Sequence, residues 1–170
     1  SVTVLTGIPN YPVGKIFEAY KQDKDAFAFY EGAEVVRVPM LTRGQGNIRL
    51  FLNYLSFVIG GCLYGPWLLR GKKTDVIFVF GLSPVTLALP AILLGRVKRV
   101  PVVMLVLDLW PESLAATGVV RSPLILSSVG YMVKFIYERC TFILGQSQSF
   151  LINIAERCSN TDKIHYFPSW

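Results

Sequence analysis

Apolar positions along this chain come in short unbroken runs rather than in alternation with polar ones. EVVRV at Glu34–Val38, DVIFVF at Asp75–Phe80, PVVMLVL at Pro101–Leu107 and TFIL at Thr141–Leu144 are dense in Val, Ile, Leu and Phe. Such runs mark strands buried on both faces of a parallel sheet. Ser1–Thr6 and Lys163–Phe167 complete six predicted strands. Between them, Ile48–Leu69, Ser83–Leu94, Ser122–Tyr137 and Gln148–Cys158 are long enough for helices, while Lys15–Gly32 is too mixed to assign. Glycine- and proline-bearing segments such as GIPNYPVGK and GKKTD punctuate the pattern. Ser83 is placed to cap its helix with Pro84 at the first helical position, and Pro90 is expected to kink or shorten that helix. Strands alternating with helices predict an α/β, Rossmann-like parallel sheet with helices on both faces. At 170 residues, one domain over 1–170 is the expectation.

Two stretches, Leu50–Leu69 and Val76–Gly95, hold no charged residue over a length that would cross a hydrocarbon layer of about 30 Å. A small integral membrane protein with spans near 50–69 and 76–95 is therefore an alternative. Gly60, Gly61, Gly65 and Pro66 interrupt the first stretch, and SPVT and Pro90 the second, which favours strand plus helix in the latter. The composition keeps lipid in view: 52% of residues are hydrophobic and 16% charged, against about 25% charged in ordinary soluble domains. The formal charge of +6 suits an anionic partner, whether phosphate, an acidic lipid surface or nucleic acid. The clusters Arg70, Lys72, Lys73 and Arg96, Lys98, Arg99 read as solvated loops or as contacts to an anionic leaflet. No DNA-recognition element is identifiable, so no nucleic-acid partner is expected.

Cys62, Cys140 and Cys158 are widely spaced, which argues for buried free thiols in a reducing cytosol and against a metal site or disulfide framework. SVTVLTGIPN lacks the basic leader, long apolar core and cleavage site of a secretory signal. Dinucleotide, P-loop and kinase signatures are missing too.

In an open parallel sheet, ligands collect beyond the carboxyl ends of the strands. That rule nominates Gly7, Asn10 and Tyr11 after the first strand, Gly81 and Ser83 after the third, Asp108 and Glu112 after the fourth, and Gln146 and Ser147 after the fifth. Asp108 is a candidate to orient a hydroxyl, accept a proton or stabilise a cationic transition state, or else to cap a backbone turn. Glu112 fits the first turn of a short helix as well as a catalytic role. Trp110 offers a face to a sugar or isoprenoid, or to the core. Ser83 and Ser147 read as helix caps or as phosphate and hydroxyl contacts. Lys15, Arg43 and Arg49 are candidate donors to a pyrophosphate. His165, alone in its strand, reads as a satisfied structural histidine.

The blocks VTVLTGIPNYPVGKIFEAY, RVPMLTRGQGNIRLFLNYLSF, DVIFVFGLSPVTLALPAILL and DLWPESLAATG together resemble the amino-terminal domain of bacterial family 4 glycosyltransferases. Within that family they are most similar to fucosaminyltransferases of surface-polysaccharide assembly. The resemblance runs from Val2 to the terminal HYFPSW and implies the acceptor-side half of a two-domain GT-B enzyme. The donor-binding half, with its E-x7-E element, has no counterpart here, and the fragment alone is expected to be inactive. For the complete enzyme it implies metal-independent transfer, with retention, of a hexosyl or deoxyaminosugar from a nucleotide-sugar. The acceptor would be a polyisoprenyl-diphosphate-linked glycan at the cytoplasmic face of the membrane, with no further cofactor. Asp108 matches the DLWPES motif, where donor sugar would face acceptor. The family's first strand–helix unit also lacks a counterpart. The gap that it leaves, between the first and third predicted strands, predicts a rearranged edge, strand exchange or homo-oligomer. A non-catalytic, membrane-associated assembly protein is the competing reading.

Overall fold

The computed structural model describes residues 1–168. Two compact units are present, the first covering Ser1–Lys72 and the second beginning at Lys73.

In the first unit, β1 (Thr3–Gly7) lies parallel to β3 (Ala33–Val38), pairing Thr3 with Glu34 through to Gly7 with Val38. The segment Lys15–Gly32 supplies a single helical turn, α1 (Glu18–Gln22), and a two-residue strand, β2 (Phe29–Tyr30), antiparallel to β3. The antiparallel strand was missed because two residues carry no periodicity.

Helix α2 (Asn47–Leu68) runs unbroken through Gly60, Gly61, Gly65 and Pro66, where the sequence suggests interruptions. The glycines serve close approach instead. A Cβ on Gly60 would sit 2.3 Å from the Pro39 carbonyl oxygen, so only glycine lets the helix come this near the end of β3. Asn53 donates to the Leu41 carbonyl at 2.5 Å, and the Leu41 amide donates to Ser56 Oγ at 2.9 Å. Polar and small residues thus form the inner side of this helix.

The second unit is the Rossmann-like part. Its four parallel strands, β4 (Ile77–Gly81), β5 (Val102–Val106), β6 (Phe142–Gly145) and β7 (Ile164–Tyr166), lie side by side in sequence order, flanked by helices. Registered neighbours share a face because side chains alternate along each strand. Val79, Met104 and Ile143 are one such row, and all three are buried. They form the core with Ala88 and Ile92 of α3 (Ala88–Lys98), Val133, Ile136 and Tyr137 of α5 (Pro123–Arg139), and Ile154 of α6 (Gln148–Ala155). The opposite row, Phe78, Val103 and Phe142, leaves both phenylalanines exposed. Neither β1 nor β4 has a second strand neighbour among the described residues, and the two strands belong to different sheets.

Residues 76–95 divide into β4, a 3-10 turn at Val85–Leu87 and α3, the strand plus helix that their interruptions favour and not a membrane span. One expectation is corrected: no helix starts at Ser83, and α3 begins five residues later. Pro90 then falls in its first turn, where a missing N–H breaks no intrahelical bond, and the helix continues without a kink.

Candidate functional site

The carboxyl ends of β4 and β5 are adjacent, and the residues that leave them meet. Leu107 N–H extends the ladder to the Gly81 carbonyl at 3.1 Å, after which the chains diverge into the segments carrying Ser83 and Asp108. Ser83 Oγ donates to Asp108 Oδ2. Trp110 Nε1 lies 3.0 Å from the same oxygen and 3.1 Å from Ser83 Oγ. Ser83 and Trp110, from two loops, thus converge on one carboxylate oxygen of Asp108, leaving Oδ1 outside this set of bonds. Leu109 and Trp110 pack against the core, which anchors the loop from below. Gly81 permits the crowding at the strand end, since a Cβ there would lie 2.3 Å from the Leu105 carbonyl oxygen.

This geometry decides between the readings of Ser83, which is a partner of Asp108 and not a helix cap. Trp110 serves two purposes, its ring on the core and its N–H on the carboxylate. Because both donors to Asp108 are neutral, they orient the carboxylate without supplying a compensating cation. A carboxylate held in this way can accept a proton from a hydroxyl or stabilise positive charge at a neighbouring carbon.

Glu112 opens α4 (Glu112–Ala116) in the first turn, as the sequence suggests, and it forms an ion pair with Arg157. That pair ties α4 to the end of α6 across 45 positions of sequence, a link that no local pattern signals. Nearby, the Tyr137 hydroxyl is buried without a hydrogen-bond partner among the described residues. Burial pushes the phenol well above its ordinary range; Cys158 and Glu112 add to the effect and Arg157 opposes it.

Ser147 caps α6, accepting from the Phe150 amide at 3.3 Å, and its hydroxyl lies 2.9 Å from that of Ser149. Gln146 precedes it, half-buried at the end of β6. His165 is exposed on β7 with its ring 5.4 Å from that of Phe142, so it is a surface residue rather than an enclosed structural one.

Gly7, Asn10, Tyr11, Lys15 and Arg49 belong to the first unit. Asn10 is buried; its amide donates to the Ile8 carbonyl at 2.7 Å and its oxygen accepts from the Arg43 amide at 2.9 Å. It latches the loop after β1 onto the connection after β3. Gly14, with φ of 74°, turns that loop back so that its N–H reaches the Asn10 carbonyl at 2.7 Å. The Arg43 guanidinium covers the exposed Tyr11 ring at 5.3 Å. Gly7 accepts from Arg37 through its carbonyl at 3.1 Å. Lys15 and Arg49 are exposed, and the Arg49 stem lies against Gly44. Lys72, expected in a solvated cluster, pairs with Glu34 within this unit.

All three cysteines are free thiols. Cys140 is buried, which pushes its pKa up to about 12, with Cys158 adding to the shift and Lys163 opposing it. No group of three or more potential metal ligands occurs among the described residues. No protein-family profile matches the chain, and no curated protein matches it.

Proposed function

We propose that this chain is the acceptor-side half of a bacterial GT-B glycosyltransferase. The complete enzyme would move a sugar from a nucleotide-sugar to a polyisoprenyl-diphosphate-linked glycan at the cytoplasmic face of the membrane. The observation that carries this reading is the convergence of Ser83 and Trp110 on Asp108, at the carboxyl ends of neighbouring parallel strands and within the segment that resembles the family's DLWPES motif. In this role Asp108 orients the acceptor or meets developing positive charge at the transferred sugar, with no metal required.

The adjoining coding sequence tests the proposal first. It should encode a second Rossmann-like domain with paired glutamates, and the joined protein should transfer sugar to a polyisoprenyl-diphosphate acceptor. A second domain of another kind, or a joined protein inert towards such acceptors, overturns it.

A second reading, a membrane-associated assembly protein without catalysis, is favoured by the exposed apolar side of α2. It predicts lipid binding with no affinity for a sugar-bearing polyisoprenyl diphosphate, which a titration of the chain with that acceptor distinguishes.

A further inference from the structure

Asp108 stands between a firmly held neighbour and a lightly held one. On the strand side, the Leu107 amide stays on the ladder, donating to the Gly81 carbonyl at 3.1 Å. On the other side the chain passes directly into α4. There the Ser113 amide donates to the Leu109 carbonyl at 2.8 Å and the Ala115 amide to the Pro111 carbonyl at 3.1 Å. These bonds make residues 109–116 one short piece, so the backbone beside Asp108 moves wherever α4 moves. Yet α4 buries none of its own five residues, and a helix of that length does not hold itself together in water. Its placement comes from outside.

Two contacts supply it. Pro111 lies over Gly130 of α5, where an added Cβ would meet the proline ring at 3.9 Å. That contact is apolar and without direction. The directional one is the ion pair of Glu112 with Arg157, since a guanidinium grips a carboxylate through a rigid planar fork. Arg157 stands in the turn after α6, with its amide on the Ile154 carbonyl at 3.0 Å, and Ile154 is fully buried in the core. The backbone of the cation is thereby anchored, and its side chain is only 23% exposed. The Tyr137 hydroxyl, near enough to feel both charges, makes no hydrogen bond to either. Arg157 thus reaches from the far end of α6 to the first turn of the helix that follows Asp108, four residues beyond that carboxylate.

We infer that Arg157 is a positioning residue for Asp108. By holding Glu112 it fixes the entrance of α4, and with it the direction in which the Asp108 carboxylate meets the Trp110 N–H and the Ser83 hydroxyl. The Glu112 carboxylate, occupied by the guanidinium, serves placement and not proton transfer. The inference rests on the proposed function only for the use to which an aligned Asp108 is put.

The test reads the Trp110 indole N–H by two-dimensional proton–nitrogen NMR of this chain, without donor domain or acceptor, so its outcome does not depend on sugar transfer. The chain has three tryptophans; Trp110→Phe identifies the cross-peak, and Asp108→Ala marks the position of the indole without its carboxylate. Arg157→Met, which removes the charge and keeps an unbranched stem, should move the cross-peak upfield towards that mark. Arg157→Lys, which keeps the cation, should return it most of the way. Unmoved backbone cross-peaks of Met104 and Ile143, in the core, show that each variant is folded, and Glu112→Gln, with the same expected shift, takes the place of an Arg157→Met that does not fold. A cross-peak that keeps its wild-type position in the folded variant overturns the inference, as does Arg157→Lys displacing it as far as Arg157→Met. If the cross-peak responds as expected while the joined enzyme proves inert towards polyisoprenyl-diphosphate acceptors, the positioning role stands and the transferase reading alone falls.

Discussion

Trp110 Nε1 lies 3.0 Å from Oδ2 of Asp108, the residue two positions before it, while its ring packs on the core of the second unit. One side chain therefore fixes both the height of the loop and the direction of the carboxylate. The two contributions separate by mutation. Trp110→Phe keeps an aromatic ring on the core and removes the N–H, and should cost about 0.5–1.5 kcal/mol. Trp110→Ala loses both and should cost about 3 kcal/mol or more. Urea unfolding of the two variants checks this, and equal losses would refute the double role.

Asn10 should matter to the first unit as a structural latch. Asn10→Ala removes the bonds to the Ile8 carbonyl and the Arg43 amide from a buried position, at an expected cost of about 1–3 kcal/mol. Asn10→Asp keeps the acceptor for Arg43 and should recover part of that loss in the same unfolding experiment.

Gly60 tests the close approach of α2 to β3. Gly60→Val places atoms where the Pro39 carbonyl already sits and should destabilise by about 1–3 kcal/mol. Gly71→Ala, which meets nothing within 4 Å, is the control and should stay within about 0.5 kcal/mol of wild type.

Cys140 gives a signed dependence on pH. Its thiol ionises near 12 when folded against an ordinary value of 9.0, so the folded state holds the proton longer than the unfolded chain. Stability should be level in this respect below about pH 9 and fall as pH rises from there towards 12. Denaturation midpoints across that range should flatten in Cys140→Ala, and an unchanged slope would contradict the assignment.

Much of the second unit could be read from the chain because its strands are continuous apolar runs of the kind parallel sheets use, although one row leaves Phe78 and Phe142 exposed. VVMLV became β5 and TFIL lies across β6, each within a residue or two of the expected bounds. What failed depended on tertiary context. SPVT looks like a helix start because serine before proline is a common cap, but the Asp108 carboxylate claims the Ser83 hydroxyl. The α2 glycines look like breaks because glycine is a poor helix former, but the approach to Pro39 turns that into a packing advantage. The site was half legible. The strand-end rule nominated Ser83 and Asp108, and Trp110 stood out as a ring for a ligand or the core, whereas the Glu112–Arg157 pair and the buried Tyr137 hydroxyl depend on folding distant segments together.

The measurement that tests the central claim most directly is sugar transfer to a polyisoprenyl-diphosphate-linked acceptor by the proposed complete enzyme, this chain joined to the donor-binding half that the proposal requires, comparing wild type with Asp108→Asn. The substitution keeps the size of the side chain and its ability to accept from Ser83 and Trp110 while removing the charge. The account predicts kcat lower by about 10²–10⁴-fold with an unchanged unfolding midpoint. Near-normal transfer by a fully folded Asp108→Asn enzyme would contradict it.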